Sequence, residues 1–152
     1  MLFNIVQRVF DTYDAWDERM QRMALSERTM RTLLDSSYRI FHNPILVCTS
    51  AGFIIDYSTM MDTMPEFQDI LQHNQILAAV KSEISSPSGE VQKYEDPQTQ
   101  QNNLFVEIYD KNHNAYRVIL AESSRKFRHY DEYLLVHLSK YIQKMLEKYT
   151  VL

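Results

Sequence analysis

The sequence predicts an α+β domain in which an antiparallel sheet is flanked by helices, with a long helix at each end of the chain. Three observations support this fold class. The chain begins with an apolar stripe at helical spacing, it ends with a second and wider stripe, and its middle contains two pairs of short apolar runs joined by turn-forming residues. An antiparallel sheet with helices on one face and at its ends satisfies that order of elements.

The first element is a helix that we interpret as a dimerisation helix over residues 1–29, ahead of a compact domain over residues 30–152. Its apolar residues alternate steps of three and four, which keeps one stripe facing a partner helix. The predicted dimer interface takes five residues from this stripe and two from the last helix: Val6, Val9, Tyr13, Trp16, Met20, Met145 and Tyr149. Bulky Tyr and Trp favour a loose helical bundle over a regular coiled coil. The alternative is that the helix packs against its own domain.

The next elements are a second helix and a β-hairpin. Ser26 is suited to N-cap the helix, and the helix ends at residues 42–44 because the residue before Pro44 is pushed out of the helical region. Residues 45–49 and 53–58 then form two apolar runs, and the turn between them contains Gly52. This arrangement predicts a hairpin.

The second half of the chain repeats the pattern of helix followed by strands. Pro65 opens a helical segment, and residues 76–84 form another short helix or continue the first. Residues 85–103 have the composition of a loop, in which residues 90–94 could pair as an edge strand. Two strands follow over residues 104–109 and 115–122, joined by a hairpin loop, and the last helix begins near Asp131.

Composition excludes several classes of function. The net charge of −4 over 152 residues gives no bulk attraction to nucleic-acid phosphates. The single cysteine, Cys48, excludes an internal disulfide and a multi-cysteine zinc site, and the five histidines share no metal-binding spacing. Two isolated glycines, Gly52 and Gly89, exclude a P-loop and a Rossmann fingerprint. No apolar run approaches the ~20 residues of a membrane span.

Three short motifs carry a resemblance to a known family. They are Asn43-Pro44-Ile45-Leu46-Val47 entering the first strand, the helix of residues 65–74, and a closing pattern made by Phe127, Asp131, Leu134-Leu135 and Leu138. Together they resemble the PAS/GAF-like N-terminal sensor domain of PucR-type (helix-turn-helix) transcriptional regulators, over most of residues 30–148. The chain departs from that pattern in lacking a glycine before the late strand and any motif for a cyclic nucleotide, haem or bilin.

The resemblance implies a ligand-sensing regulatory domain of a transcriptional regulator, without the DNA-binding output domain. The terminal stripes favour a homodimer, the lack of membrane and secretion signals favours the cytoplasm, and no catalytic motif indicates an enzyme. A sensor pocket would lie between the sheet and the central helices. We expect Tyr57, Tyr109 and Arg117 to contact a small, anionic effector there. We expect no cofactor, no metal, no catalytic residue, and no direct contact with nucleic acid or membrane. The alternative function is a structural homodimerisation module whose interior is filled and which binds no small molecule.

Overall fold

A computed structural model describes residues 2–25, 30–74, 90–95 and 100–149, and the side chains of all of these except residues 2–10, 23–25 and 149. The predicted N-cap Ser26 and the predicted helix over residues 76–84 lie outside the described residues.

The described residues contain four α-helices and five strands. The helices are α1 (Leu2–Leu25), α2 (Met30–Phe41), α3 (Gln68–His73) and α4 (Asp131–Tyr149). The strands are β1 (Ile45–Thr49), β2 (Ile54–Tyr57), β3 (Val91–Glu95), β4 (Asn102–Tyr109) and β5 (Ala115–Ala121). Two short 3₁₀ turns, Thr59–Thr63 and Pro65–Phe67, precede α3. The first was not predicted from the sequence, whereas the second is the start of the helical segment predicted to open at Pro65, which becomes α-helical only at Gln68.

The strands form one antiparallel sheet in the order β2-β1-β5-β4-β3, which confirms the predicted fold class. Both predicted hairpins are present, and β3 is the edge strand that the sequence allowed. Pairing of β1 with β5 joins the two hairpins, so these two strands form the centre of the sheet. The central strands are accordingly the most apolar part of the sheet.

Each side of the sheet covers its own apolar cluster, because successive side chains of a strand point to opposite faces. We call the side that packs against α1, α2 and α4 the helical face, and the side that packs against the 3₁₀ turns and α3 the distal face. Val118 and Leu120 of β5 belong to the helical face, whereas Ile119 and Ala121 belong to the distal face. Side chains of this strand therefore alternate between the two clusters.

Asn43 connects the end of α2 to the segment between β5 and α4. Its side chain is fully buried, and its Oδ1 accepts hydrogen bonds from the backbone N–H groups of Ser123, Ser124 and Arg125 at 3.0, 2.8 and 3.0 Å. Its Nδ2 donates to the carbonyl oxygen of Arg125 at 2.7 Å. One amide side chain thus satisfies four backbone groups that belong to neither a helix nor a strand, which fixes the approach to α4.

The start of α4 is fixed by its first residue, in agreement with the sequence prediction for Asp131. The buried Asp131 carboxylate accepts a hydrogen bond from the backbone N–H of Arg128 at 2.8 Å, and it pairs with the Arg128 guanidinium at 2.9 Å. A carboxylate at this position also interacts favourably with the positive end of the helix dipole.

Candidate functional site

The distal face is the side of the sheet on which the sequence analysis places a ligand pocket. Its apolar cluster combines strand residues with residues of the covering turns: Leu46, Cys48, Ile54, Met61, Phe67, Phe105, Ile119 and Ala121. All of these side chains are buried. The described part of this face is therefore a packed apolar surface, against which any polar side chain is exceptional.

Two charged side chains, Glu107 and Arg117, lie on this apolar face. They are only 8% and 6% exposed, and they stand directly opposite one another in the pairing of β4 with β5. The Arg117 guanidinium carbon lies 5.1 Å from the centroid of the Phe105 ring, within the range of a cation–π contact. Burial of charged groups is costly unless other groups compensate it, and such positions are concentrated at functional sites.

Tyr109 extends this polar group along β4. Its hydroxyl donates a hydrogen bond to Glu107 Oε1 at 3.4 Å, and its backbone N–H donates to Gln143 Oε1 of α4 at 3.1 Å. The negative charge of Glu107 raises the pKa of the Tyr109 phenol above its ordinary value, so the phenol keeps its proton. The structure thus brings together two of the three residues predicted to contact a ligand, Tyr109 and Arg117.

Tyr57, the third predicted ligand residue, is not part of this group. It lies on the edge strand β2, two strands away from Arg117 in the sheet order. Its hydroxyl donates a hydrogen bond to Asp62 at 2.6 Å, and the Arg31 guanidinium carbon lies 4.1 Å from its ring centroid. The hydrogen bond to Asp62 raises the pKa of Tyr57. These contacts attach the 3₁₀ turn and α2 to the edge of the sheet.

Glu107 was not identified from the sequence, although a signal for it exists. At the loop between β4 and β5, Tyr109 pairs with Ala115. Glu107 lies two residues before Tyr109 and Arg117 lies two residues after Ala115, so these two residues also pair. Two opposite charges at matching distances from a hairpin loop are the pattern expected for a cross-strand pair. Combining the predicted strands with the loop length would have found it.

Cys48 lies opposite Arg117 on the other neighbouring strand, β1. Its thiol is fully buried, and burial raises its pKa to about 12 although the positive charge of Arg117 acts in the opposite direction. The thiolate is the reactive form of cysteine, so this side chain lacks the properties of a nucleophile.

We expect Cys48 to resist alkylation in the folded protein. At pH 8 and 25 °C, iodoacetamide should label it at least about a hundredfold more slowly than in protein unfolded by guanidinium, because only transient opening exposes a reactive thiolate. Mass spectrometry of quenched time points measures both rates. Labelling of the folded protein at a rate near that of the unfolded protein would contradict the described burial.

The residues of the predicted dimer interface are found largely inside the chain's own core. Trp16 is 2% exposed, and Met20 and Met145 are buried in the cluster of the helical face. Tyr13 is half-buried and packs against the same cluster. Because their own chain covers these side chains, a second copy would reach the helices through other residues. The side chains of Val6, Val9 and Tyr149 lie outside the described residues.

A polar contact beside Trp16 fastens α1 to α4. Asp17 Oδ1 lies 2.6 Å from His137 Nε2, and it accepts a hydrogen bond from the Tyr141 hydroxyl at 2.9 Å. The hydrogen bond with His137 is the main cause that lowers the pKa of the Asp17 carboxyl. The predicted boundary after residue 29 therefore lies between two segments whose described residues contribute side chains to one core.

The described residues contain no group of three or more histidine, cysteine, aspartate or glutamate side chains placed to hold a metal ion. Among the helices described, none has the length and the apolar composition needed to cross a membrane.

The described residues have a GAF-like fold, in which helices flank a five-stranded antiparallel sheet. The structure is similar to that of the GAF domain of a protein designated a sensor histidine kinase from Pseudomonas syringae pv. tomato, with a TM-score of 0.59. The two chains are 12% identical, and the similarity covers 97% of this chain and 93% of the other. No family model and no curated protein matches the sequence.

Proposed function

We propose that this chain is a ligand-sensing regulatory domain that binds a small anionic molecule at Arg117, between the distal face of the sheet and the segments that cover it. The observation that carries the proposal is the burial of Arg117, at 6% exposure, beside an apolar cluster on a face where Glu107 is the other buried charged residue of the described part of the chain. A guanidinium presents several donors in a planar fork that matches a carboxylate or a phosphate. The similarity to a GAF domain of a sensor histidine kinase supports a sensing role.

The arrangement around Arg117 suits selective binding of an anion. Phe105 provides an aromatic wall beside the guanidinium, and Tyr109 keeps a neutral hydroxyl near Glu107. Glu107 itself opposes a negative ligand, so occupancy would require an anion able to compete with that carboxylate. A site with one cation, one anion and an apolar wall would favour small carboxylates or phosphates that also carry an apolar part.

The proposed context follows the sequence resemblance. We propose that the domain belongs to a transcriptional regulator of the PucR type, works in the cytoplasm as a homodimer, and has no catalytic activity of its own. The high pKa of Cys48 supports the last point, since it removes the only thiol from consideration as a nucleophile at neutral pH. Nucleic-acid contact would then be made by an output domain rather than by this chain.

The competing function, a structural homodimerisation module, is supported by a different observation. Large side chains such as Met61, Phe67 and Phe105 fill the described part of the distal face. In that case Arg117 and Glu107 would serve only to order the strands. The two functions differ in whether the chain has a specific small-molecule ligand.

A ligand screen on the full chain with matched variants separates these functions. Thermal shift against a panel of small mono- and dicarboxylates and phosphate esters, followed by calorimetry, should identify a saturable binder. Arg117→Met should weaken that binding about tenfold to a hundredfold, as expected for loss of charge-assisted hydrogen bonds. Glu107→Gln should strengthen it, because the substitution removes the competing carboxylate. A variant that merely disturbed the fold would not tighten binding.

Arg22→Met serves as the control. Arg22 lies on the exposed side of α1, with its side chain 75% exposed. Its substitution should therefore leave ligand binding unchanged. Absence of any binder across the panel, or a binder equally tight in wild type and Arg117→Met, would favour the structural module.

A further inference from the structure

A groove opens on the helical face of the sheet, between the edge strand β3 and the start of α4. Its volume is about 620 Å³, within the range of roughly 300–1,000 Å³ that is usual for small-molecule sites. Its apolar lining comes from the buried Leu104 of β4 and from Phe127, which is half-buried against the same cluster. We call this the edge groove. It lies on the opposite side of the sheet from Arg117.

The alternation of β3 brings two side chains of opposite charge to this groove. Val91 packs against the cluster of the helical face, so Lys93 and Glu95 lie on the same side of the strand. Lys93 Nζ lies 3.6 Å from Glu132 Oε1 in the first turn of α4. An ion pair that is open to solvent therefore joins β3 to α4 at the groove.

Shared hydrogen bonds hold the other side of the edge groove in place. Glu122 Oε2 accepts a hydrogen bond from the backbone N–H of Phe127 at 2.7 Å, and Glu122 Oε1 accepts one from Asn102 Nδ2 at 3.3 Å. One carboxylate thus ties the segment before α4 to the start of β4. Asn43 and Asp131 fix the backbone on either side of Phe127. A ligand therefore meets a wall that is already ordered, which lowers the entropic cost of binding.

Arg128 also borders the groove, but its charge is already compensated. Its Nη2 lies 2.9 Å from the buried Asp131 carboxylate, and the same nitrogen donates a hydrogen bond to the carbonyl oxygen of Ile40. Its guanidinium carbon lies 4.4 Å from the centroid of the Tyr130 ring. Arg128 therefore positions the segment before α4.

The remaining polar groups of the edge groove include both charges. Glu95 and Glu132 provide carboxylates, Lys93 provides an ammonium, and His129 provides an exposed imidazole. A ligand with only negative charge is opposed by the two carboxylates, and a ligand with only positive charge is opposed by the ammonium. A molecule with both charges on an apolar body complements each part of this lining.

We propose that the edge groove binds a small zwitterion with an apolar body, the chemical class to which α-amino acids belong. Glu95 and Glu132 accept hydrogen bonds from its ammonium group. Lys93 and His129 donate hydrogen bonds to its carboxylate, and charged partners strengthen such bonds. The apolar body contacts Phe127. The proposal is independent of the ligand site on the distal face.

Binding at this site exchanges one exposed ion pair for new ones. The Lys93 and Glu132 side chains are 79% and 41% exposed, and exposed pairs contribute little to stability, so separating them costs little. The new contacts also remain partly hydrated, so the affinity is modest. We expect a dissociation constant of about 0.1–2 mM.

Nuclear magnetic resonance of the ¹⁵N-labelled full chain tests the proposal. Titration with L-leucine or L-phenylalanine to 20 mM at pH 7 should give saturable shifts of the amides in residues 93–95, 102–104 and 127–132. Each amino acid has an analogue without the amine and an analogue without the carboxylate, which for leucine are 4-methylpentanoate and 3-methylbutylamine. These analogues should bind at least about tenfold more weakly, because each leaves charged groups of the groove without a partner.

Two charge-removing variants with matched controls locate the site. Lys93→Met and Glu132→Gln should each raise the dissociation constant for the amino acid at least about fivefold. Lys111→Met and Glu18→Gln make the same changes of charge at exposed positions outside the groove, and they should bind like the wild type. The dispersion of each variant's amide spectrum checks that its fold is retained.

Several outcomes would overturn the proposal. They are absent or unsaturated shifts with both amino acids, an analogue that binds as tightly as its parent, and control variants that weaken binding as much as Lys93→Met and Glu132→Gln. Shifts confined to the distal face, such as those of residues 59–67, would assign the amino acid to the other side of the sheet and would also overturn it. A ligand at Arg117, whether found or not, leaves these outcomes unchanged.

Discussion

Replacing Trp16 with alanine is expected to lower the free energy of unfolding by about 3–5 kcal/mol, the usual range for truncating a buried Trp. The side chain is 2% exposed, its Nε1 donates a hydrogen bond to Ser37 Oγ at 3.1 Å, and its ring meets the Phe41 ring edge-on at 5.8 Å between centroids. Truncation therefore leaves a cavity and also removes the donor to the Ser37 hydroxyl, which keeps its own hydrogen bond to the Leu33 carbonyl oxygen. Urea unfolding followed by circular dichroism measures the loss.

The same measurement at two protein concentrations distinguishes the two interpretations of the first helix. If Trp16 packs in its own core, the loss is the same at 1 µM and 50 µM. If Trp16 faces a second copy, the loss depends on concentration, because dimerisation is linked to protomer concentration. Phe53→Ala, which truncates an aromatic side chain that is 52% exposed, should cost less than about 1 kcal/mol and serves as the control.

Replacing Asn43 with alanine is expected to cost about 3 kcal/mol, although it removes only a small polar side chain. Three backbone N–H groups lose their acceptor, and the carbonyl of Arg125 loses its donor, in a segment that precedes α4. Unsatisfied buried backbone groups carry the full cost of their lost hydration. Urea unfolding measures the effect, which should be larger than that of most buried polar substitutions.

Asn112→Ala is the matched control for this prediction. Asn112 lies in the exposed loop between β4 and β5, and its truncation should change stability by less than about 0.5 kcal/mol. Equal stability of the two variants would show that solvent replaces the Asn43 hydrogen bonds without cost.

The strands could be predicted because their signal is local. Alternation along residues 115–121 determines which side chains share a face, and the turn residues before Ala115 place the hairpin. The pairing of β1 with β5 could not be predicted in the same way, since it joins residues about seventy positions apart. The 3₁₀ turn Thr59–Thr63 also has no apolar period that the sequence analysis could detect.

The stripe on α1 illustrates a different limit. Trp16 and Met20 occupy positions that suit a partner helix, but the period is the same whether that helix belongs to a second copy or to the same chain. The structure places both side chains against α2 and α4 of their own chain. Dimerisation stays a prediction.

For the candidate site, the sequence analysis selected Arg117 and Tyr109 as polar side chains of the two late strands that could contact an anionic ligand. It did not identify Glu107, because the position of this residue opposite Arg117 depends on the register between two strands. It grouped Tyr57 with Arg117 and Tyr109, because the order of strands in the sheet is not encoded in the local sequence. Chemistry that depends on one residue type is visible in a sequence. Chemistry that depends on neighbours across strands requires the topology.

The central strand β5 contributes side chains to the apolar clusters of both the helical face and the distal face, so only its backbone lies between them. Arg117 lies on one side of it, and the next residue, Val118, is fully buried on the other. A displacement of the strand caused by an occupant on the distal face would therefore move side chains that contact the helices directly, with no hinge or loop in between. The sheet itself would be the mechanical link between the two sides of the molecule.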